Sequence, residues 1–271
     1  CAVREISDSK RREEDLLFTA DAAKRELEMK TRFLATMSHD IRTPLNGIIG
    51  MVNLAEQYAN DTEMLKQIRD KMMKSLKYLV ALVNDVLDMN KIQSGNFKNE
   101  EIIFDSSDMM QKMIRIYDQK AIEKGIRFEV NWEQCSIESP ILIGNPVYFG
   151  KILGSILDNA IKFSPSGSTI MVWGTEEILE GDQAVLTLHC KDQGIGMSEE
   201  FMKHAFDMFA QEKESSRSQY EGTGLGLTIA KALADNIGGT IEFQSKQGVG
   251  TTAIVKVPFK IGPQDVIMKT K

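Results

Sequence analysis

The chain has 271 residues, of which 42% are hydrophobic and 27% charged, an ordinary globular composition. This length corresponds to one large domain or two modest ones. No run reaches the ~18 apolar residues of a transmembrane helix, and residues 1–14 lack the apolar core of a signal peptide. The net charge of −6 disfavours a broad electrostatic interaction with nucleic acid. Cys1, Cys135 and Cys190 are too scattered for a disulfide framework or a zinc cluster, which favours a reducing cytoplasm.

Residues 11–93 show a helical pattern that is almost free of glycine and proline as far as Pro44. Apolar residues recur at spacings of four and three in two runs, with Lys30 filling one missed position of the first run. The runs are Leu16, Ala20, Ala23, Leu27, Leu34, Met37 and Ile41, then Leu65, Ile68, Met72, Leu76, Leu79, Val83 and Val86. A polar connection at 58–63 separates the two runs. Because such a seam usually needs a partner helix, we expect a helical hairpin that pairs with a second copy as a four-helix dimer. A purely structural coiled-coil stalk is the alternative.

The pattern changes after Gly95. Strands are expected at 102–104, 127–132, 169–175, 184–191, 240–245 and 251–258. Helices are expected over 109–124, 147–163 and 225–237. Because strands and helices do not alternate regularly, the sequence predicts an α/β sandwich and not a doubly wound sheet.

The segment Ser38-His-Asp-Ile-Arg-Thr-Pro-Leu45 combines residues that suit nucleophilic chemistry. The heptad count places His39 on the outward face, with Thr43 one turn further along the same face. An exposed imidazole is a usable nucleophile, and Asp40 can orient it or accept its proton. Pro44 removes a backbone donor and should bend the helix just past His39.

Three further segments suit phosphate and metal binding: 158–163 near the end of a helix, 192–197 after a strand, and 222–226 before a helix. Glycines let the backbone approach a ligand, and a glycine turn into a helix presents amides to phosphate. Asn159 offers an oxygen to Mg²⁺, Lys162 can reach a phosphate, and Asp192 offers an acceptor to an exocyclic amine. The spacing fits neither a Walker loop nor a dinucleotide-binding fingerprint.

Together these segments resemble the catalytic core of a sensor histidine kinase over nearly the whole chain. Residues 38–45 resemble its H-box, 158–163 its N-box, 192–196 its G1 box, 206–209 its F-box and 222–226 its G2 box. The His-Asp pair is most like the hybrid kinases. The resemblance implies a helical-hairpin domain that forms a dimeric four-helix bundle, followed by an α/β-sandwich (Bergerat) ATP-binding domain. The implied limits are 1–28 for an N-terminal signalling coiled-coil segment, 29–95 for the phosphoacceptor domain, 96–260 for the ATP-binding domain and 261–271 for a C-terminal linker.

The resemblance also implies roles for individual residues. His39 would be phosphorylated, Asp40 would be its acid–base partner, and Thr43 would help to place the water that dephosphorylates the partner. Asn159 would bind Mg²⁺, Asp192 would read the adenine amine, and residues 207–221 would form a lid over ATP. The full set of implied nucleotide-binding residues is Asn159, Lys162, Phe163, Asp192, Gly194, Gly196, Gly222, Thr223, Gly224, Leu225 and Gly226.

The implied function is an ATP-dependent protein-histidine kinase that phosphorylates itself and passes the phosphoryl group to an aspartate of a response-regulator receiver domain, with a phosphatase activity also open. The implied cofactors are ATP and Mg²⁺, and the implied partners are a second copy and a separate or fused receiver, without nucleic acid. A membrane would be reached only through segments outside this chain, so the expected location is the cytoplasm or the cytoplasmic face of the inner membrane. The alternative function is a dimeric scaffold that binds nucleotide without transferring phosphate.

Ser155 departs from the family pattern, since many members carry a second Asn one turn before the magnesium Asn. Related ATPases of the same fold place a glutamate there to activate water. Because serine is a poor general base at neutral pH, transfer to a protein nucleophile is favoured over ATP hydrolysis. His189 is expected to be structural, His204 to be a helix surface residue, and Cys190 to be a small buried apolar residue and not a redox centre.

Overall fold

The computed structural model describes residues 34–94, 100–208 and 224–263, together with the single residues Lys24, Thr31 and Ala210. The chain divides into two compact units, one ending at Asn84 and the other beginning at Asp85. The expected N-terminal coiled-coil segment, apart from Lys24, and the C-terminal linker beyond Pro263 lie outside the described residues. Within the described part, none of the helices combines the length and the apolar character of a membrane span.

The predicted helical hairpin makes up the first unit except for the end of its second helix, which lies beyond Asn84. Helix α1 is described over 34–57 and continues through Pro44, and helix α2 covers Thr62–Gln93. A turn at 58–61 joins them, and the Asp61 carboxylate accepts a hydrogen bond from the Met64 N–H at 3.0 Å. This bond satisfies one of the donors that a helix N-terminus leaves unpaired, so α2 begins where the polar connection predicted it.

The hairpin buries only part of its apolar surface. Met37, Ile68 and Leu82 are buried within the chain. Leu34, Leu76 and Val83, which the heptad count places in the seam, are 64%, 41% and 43% exposed. The exposed apolar residues also include Leu45, Ile49, Val52, Met73 and Val80. Two helices present more apolar surface than one hairpin can cover, so part of the predicted seam stays open to solvent in the single chain.

The second unit is built on a mixed sheet. In the described residues its strands are β1 (Ile102–Asp105), β2 (Arg127–Val130), β3 (Ile141–Gly144), β4 (Thr169–Leu179), β5 (Gln183–Lys191), β6 (Thr240–Lys246) and β7 (Gly250–Ile261). Their order is β1-β3-β7-β5-β4-β2, and β6 also pairs with β7. Strand β2 pairs with β4 in parallel, whereas the other pairs are antiparallel.

A layer of helices packs against this sheet. Helices α3 (Ser106–Glu123), α4 (Pro146–Phe163), α5 (Glu199–His204) and α6 (Gly226–Asn236) complete the unit in the described residues. Asp105, Asn145 and Ser198 cap α3, α4 and α5 by accepting a backbone N–H in the first turn. Helix α4 contacts both α3 and α6, so the three long helices form one layer. The two layers produce the predicted α/β sandwich.

The core lies between the two layers and fixes the position of α4. Along β7, alternate residues from Ala253 to Phe259 are buried, as expected for a strand with one face covered. The Phe259 ring meets the Phe149 ring of α4 edge to face, with ring centroids 5.1 Å apart. The buried face of α4 carries Phe149, Ile152, Leu153, Ile156, Leu157, Ala160 and Ile161. Packing of this face leaves the polar residues near the end of α4 on its other sides.

Candidate functional site

His39 is held on the surface of α1. Its side chain is 78% exposed, and its Nδ1 lies 3.2 Å from the carboxylate Oδ1 of Asp40. When Nδ1 carries the proton and donates it to this carboxylate, the lone pair of the neutral imidazole resides on Nε2. The arrangement therefore leaves a nucleophilic nitrogen that another molecule can reach.

Thr43 follows His39 by one helical turn on the same exposed side of α1. Its hydroxyl donates a hydrogen bond to the His39 carbonyl oxygen at 3.1 Å. This bond uses the only proton of the hydroxyl and leaves the Thr43 oxygen with lone pairs that face solvent.

Asn159, Lys162 and Phe163 occupy the last two turns of α4 and are half-buried. The Asn159 side chain has no hydrogen-bond partner among the described residues, so its amide oxygen is open to a ligand. The Lys162 Nζ lies 4.6 Å from the centroid of the Phe163 ring. Burial, with a contribution from the nearby Lys124 cation, lowers the pKa of Lys162 from its ordinary value.

Helix α3 fixes the end of α4 from the side. The Lys124 Nζ donates to the carbonyl oxygens of Ile161 and Lys162, both at 2.6 Å, and so binds carbonyls that the helix terminus leaves unpaired. Asp158 turns toward α3, where it accepts hydrogen bonds from Tyr117 at 3.2 Å and from Lys120 at 2.7 Å. Asp158 therefore joins two helices, although it begins the segment that resembles the N-box.

Asp192 leaves β5 with its carboxylate held by two backbone amides. Oδ1 accepts from the Gly194 N–H at 2.8 Å and from the Thr251 N–H at 3.1 Å. Burial raises the pKa of the Asp192 carboxyl, and these two hydrogen bonds partly oppose the rise. Oδ2 has no partner among the described residues, so one carboxylate oxygen is available as an acceptor.

Two glycines let the loop at 192–197 approach its neighbours. A Cβ at Gly194 would lie 2.8 Å from the Phe163 carbonyl oxygen, and Gly196 combines a φ of +66° with close contact to the Lys246 carbonyl. The Ile195 N–H donates to the Phe163 carbonyl at 3.3 Å. The predicted N-box and G1 segments therefore meet at the end of α4.

The start of α6 meets α4 at Ser155, one turn before Asn159. A Cβ at Gly226 would lie 3.1 Å from the Ser155 Oγ, which is buried without a hydrogen-bond partner, as is the Thr228 Oγ1. Gly224 has a φ of +69°, and Leu225 is fully buried. Gly222 and Thr223 lie outside the described residues. The structure thus brings Asn159, Lys162, Phe163, Asp192, Gly194, Gly196 and Gly226 to elements that contact one another, whereas His39, Asp40 and Thr43 belong to the other unit.

The segment that resembles the F-box is described in part. The Phe206 ring stacks on Phe243 with centroids 5.2 Å apart, and the His204 Nδ1 lies 2.8 Å from the Asp207 carboxylate. Apart from Ala210, the expected lid beyond Met208 lies outside the described residues as far as Glu221. His189 stacks on Trp173 at 4.6 Å, and Cys190 is buried. These contacts agree with the structural roles expected for His189 and Cys190.

Three residues that contact the site were not predicted from the sequence: Thr251, Ser245 and Lys124. Thr251 donates its N–H to Asp192, and its hydroxyl lies 2.8 Å from that of Ser245. Gly248-Val-Gly-Thr251, a glycine-rich segment that leads into β7, was the available signal for Thr251. Ser245 and Lys124 carried no local signal, because their contacts depend on the pairing of distant segments.

The described residues contain no group of three His, Cys, Asp or Glu side chains that could hold a metal ion. Asn159 nevertheless suits Mg²⁺, because this ion keeps several waters and uses phosphate oxygens with only one or two protein ligands. The open amide oxygen of Asn159 fits such a sparse ligand set.

Two family models match the chain in the order that the units follow. The model described as His Kinase A (phospho-acceptor) domain matches residues 29–95. The model described as histidine kinase-, DNA gyrase B-, and HSP90-like ATPase matches residues 144–261. With this pair of domains, the chain belongs to the histidine kinases and forms a catalytic core of that family.

Similar curated proteins are longer than this chain. The autoinducer 2 sensor kinase/phosphatase LuxQ of Vibrio vulnificus (strain YJ016) is 35% identical over 250 residues, which are 90% of this chain and 28% of LuxQ. The virulence sensor protein BvgS of Bordetella bronchiseptica is 34% identical over 254 residues, 93% of this chain and 19% of BvgS. The signal transduction histidine-protein kinase BarA of Escherichia coli (strain K12) is 31% identical over 248 residues, 90% of this chain and 26% of BarA. The chain thus spans less than a third of these relatives.

Solved structures agree on the fold. Full-length ShkA in complex with AMPPNP has a TM-score of 0.60 at 26% identity, covering 84% of this chain and 46% of ShkA. The histidine kinase AdeS of Acinetobacter baumannii has a TM-score of 0.58 at 18% identity, covering 83% of this chain and 98% of AdeS. Both comparisons confirm the helical hairpin followed by an α/β ATPase domain.

Proposed function

We propose that this chain is an ATP-dependent protein-histidine kinase of a two-component system that phosphorylates His39. The observation that carries the proposal is the exposed imidazole, whose Nδ1 contacts Asp40 and whose Nε2 is free. In the reaction the Nε2 lone pair forms a bond to the γ-phosphorus, and the bond to the β,γ-bridging oxygen breaks, releasing ADP. Asp40 stabilises the resulting positive charge and accepts the Nδ1 proton.

The proposed ATP site is the group of residues around the end of α4. Oδ2 of Asp192 accepts from the 6-amino group of adenine, and Lys162 contacts phosphate oxygens. Asn159 binds Mg²⁺, which neutralises phosphate charge when it is present. The close approaches at Gly194 and Gly226 support this assignment, because they bring the segment after β5 and the start of α6 against α4, which carries Asn159 and Lys162.

The proposed partners are a second copy of the chain and a receiver domain, either separate or fused. The open apolar surface on α1 and α2 supports the homodimer. The exposure of His39 supports transfer to a receiver, since an aspartate of another protein can reach Nε2. In that transfer the carboxylate oxygen attacks phosphorus and the N–P bond breaks. We also propose the domain limits 29–95 and 96–260.

Labelling with γ-³²P-ATP and Mg²⁺ tests the kinase assignment. Phosphohistidine is acid-labile and alkali-stable, so the label should survive alkali and disappear in acid. His39→Gln should abolish the label and leave nucleotide affinity within about threefold, because His39 is not part of the proposed ATP site. His204→Gln is the matched control, since this histidine is also exposed and lies beside a carboxylate. Label that persists in His39→Gln would refute the assignment, and nucleotide binding without any label would favour the scaffold.

A further inference from the structure

The hydroxyl of Ser245, at the end of β6, joins three segments around Asp192. Its oxygen accepts a hydrogen bond from the Met197 N–H at 2.8 Å. The same hydroxyl donates to the Gly250 carbonyl oxygen at 3.1 Å and lies 2.8 Å from the Thr251 hydroxyl. A serine hydroxyl has one proton and two lone pairs, so these three contacts use its whole capacity.

This geometry favours one direction for the bond between the two hydroxyls. The Gly250 carbonyl can only accept, and therefore it takes the single proton of Ser245. If Ser245 donated to Thr251 instead, two acceptors would face each other at 3.1 Å. This arrangement favours donation from the Thr251 hydroxyl to Ser245, which leaves the lone pairs of Thr251 for a ligand.

The Thr251 side chain shares a face of the sheet with Asp192, because the register of β5 and β7 continues past Lys191 and Thr252 to place these two residues opposite each other. The Thr251 N–H donates to Oδ1 of Asp192, and the Asp192 N–H donates to the Thr251 carbonyl at 2.8 Å. These two bonds hold the two residues side by side. On that face a ligand can meet two acceptors, Asp192 Oδ2 and the Thr251 hydroxyl oxygen. A donor on a ligand is favoured there, and an acceptor is left unpaired.

We propose that Ser245 is a positioning residue that sets the selectivity of the nucleotide site for a 6-amino purine, by holding the Thr251 hydroxyl as an acceptor. The inference rests on the proposed function, because it concerns the base of the nucleotide bound there. Adenine presents an amino donor at ring position 6, whereas hypoxanthine presents an oxo acceptor. Without Ser245 the Thr251 hydroxyl is free to turn its proton toward the ligand and pair with the oxo group.

Titration calorimetry of the whole chain with ADP and with inosine diphosphate, both with Mg²⁺, tests the proposal. The wild type should bind ADP more tightly. Ser245→Ala should lower the ADP-to-inosine-diphosphate affinity ratio by about fivefold or more, because the acceptor becomes a possible donor. Ser245→Thr keeps a hydroxyl and should keep the ratio within about twofold of the wild type.

A double-mutant cycle separates positioning from a structural role. In a Thr251→Val background, Ser245→Ala should leave the ratio unchanged within about twofold, since the hydroxyl through which it acts is gone. Ser106→Ala removes another buried serine hydroxyl, at the start of α3, and should not change the ratio.

Three results would overturn the proposal. If Ser245→Ala weakened the binding of ADP and of inosine diphosphate equally, so that the affinity ratio stayed the same, Ser245 would only support the loop at 192–197. A ratio that still falls in the Thr251→Val background would mean that Ser245 acts by another route. A wild type that binds neither nucleotide would refute the proposed function, and this proposal with it.

Discussion

At the scale of single residues, the hydrogen bonds of the site determine which atoms remain free to react. Asp40 contacts Nδ1 of His39 and leaves Nε2 open, and the Thr43 hydroxyl uses its proton on the His39 carbonyl. Asp192 uses one carboxylate oxygen on backbone amides and keeps the other for a ligand. In His39 and Asp192 the local hydrogen bond occupies one of two similar atoms and leaves the other free. In Thr43 it occupies the hydroxyl proton and leaves the lone pairs free.

Thr43→Ala should slow dephosphorylation of the partner receiver roughly tenfold or more, while His39 phosphorylation changes little. The Thr43 oxygen presents lone pairs beside His39, so it can accept a hydrogen bond from the attacking water and orient it. Both rates should be measured with one purified receiver that the chain phosphorylates. Thr43→Ser keeps the hydroxyl and serves as the control. Equal losses in both rates would show that Thr43 only stiffens the helix before Pro44.

Asp192→Asn should weaken ADP binding and remove part of its pH dependence. Burial raises the pKa of Asp192, so the carboxyl takes up its proton at a higher pH than an exposed aspartate, whose pKa is about 3.9. Protonation removes the charge and replaces an acceptor by a donor, so wild-type affinity should fall as the pH falls through the raised pKa. Calorimetry with ADP across an acidic pH series, with the variant as reference, measures this fall in affinity. An identical pH profile in Asp192→Asn would contradict the assignment.

At the scale of elements, α3 determines where the polar end of α4 lies. Lys124 binds its terminal carbonyls, and Tyr117 and Lys120 hold Asp158. Asn159 and Lys162 are adjacent in the sequence to groups fixed in this way. The positions of Asn159, the candidate Mg²⁺ ligand, and of Lys162, the candidate phosphate-binding residue, therefore depend on the contact between α3 and α4.

Tyr117→Phe should lower the free energy of unfolding by about 1 kcal/mol, because it deletes a buried hydroxyl that donates at the α3–α4 contact. The hydroxyl lies 3.2 Å from both the Gly154 carbonyl and the Asp158 carboxylate, while the ring is kept. Urea unfolding followed by circular dichroism measures the change. Tyr58→Phe, at an exposed tyrosine in the α1–α2 turn, should change the stability little. A Tyr117→Phe protein as stable as the wild type would show that these bonds contribute nothing net.

Most elements follow from local patterns, but the contacts between them do not. The heptad spacing predicts α1 and α2, and six strands and three helices of the second unit lie near their expected places. Strand β3 (Ile141–Gly144) and helix α5 (Glu199–His204) are too short to give a clear periodicity. The strand expected at 127–132 ends at Val130, where a 3₁₀ turn begins at Trp132.

The candidate site was predictable only where its residues are consecutive. His39, Asn159 and Asp192 stand in recognisable segments. Asp158 was grouped with its sequence neighbours, yet its side chain faces α3. The segment 158–163 alone does not indicate which side of α4 packs against another helix. The hydroxyl pair of Ser245 and Thr251 arises from the register of β6 and β7, which pair these two residues directly.

At the scale of the whole molecule, the exposed apolar stripe on the hairpin predicts a homodimer. Met73, Leu76, Val80 and Val83 recur on α2 at spacings of three and four and are 41–59% exposed, and Leu45, Ile49 and Val52 extend the apolar surface on α1. Burial of such side chains contributes about 25 cal/mol for each Å² removed from water, so two stripes facing each other should associate strongly. Light scattering at micromolar concentration should therefore give twice the chain mass of 30.4 kDa.

The double variant Val80→Glu/Val83→Glu should shift this mass toward the monomer, because facing copies would bury unpaired carboxylates at the seam. Gln67→Glu adds one carboxylate at an exposed polar position of the same helix and should leave the dimer intact. Circular dichroism of both variants checks that α2 remains helical, so that loss of the dimer is not confused with loss of the helix. If the wild type is a monomer at this concentration, or if the double variant stays dimeric, the stripe does not form the subunit interface.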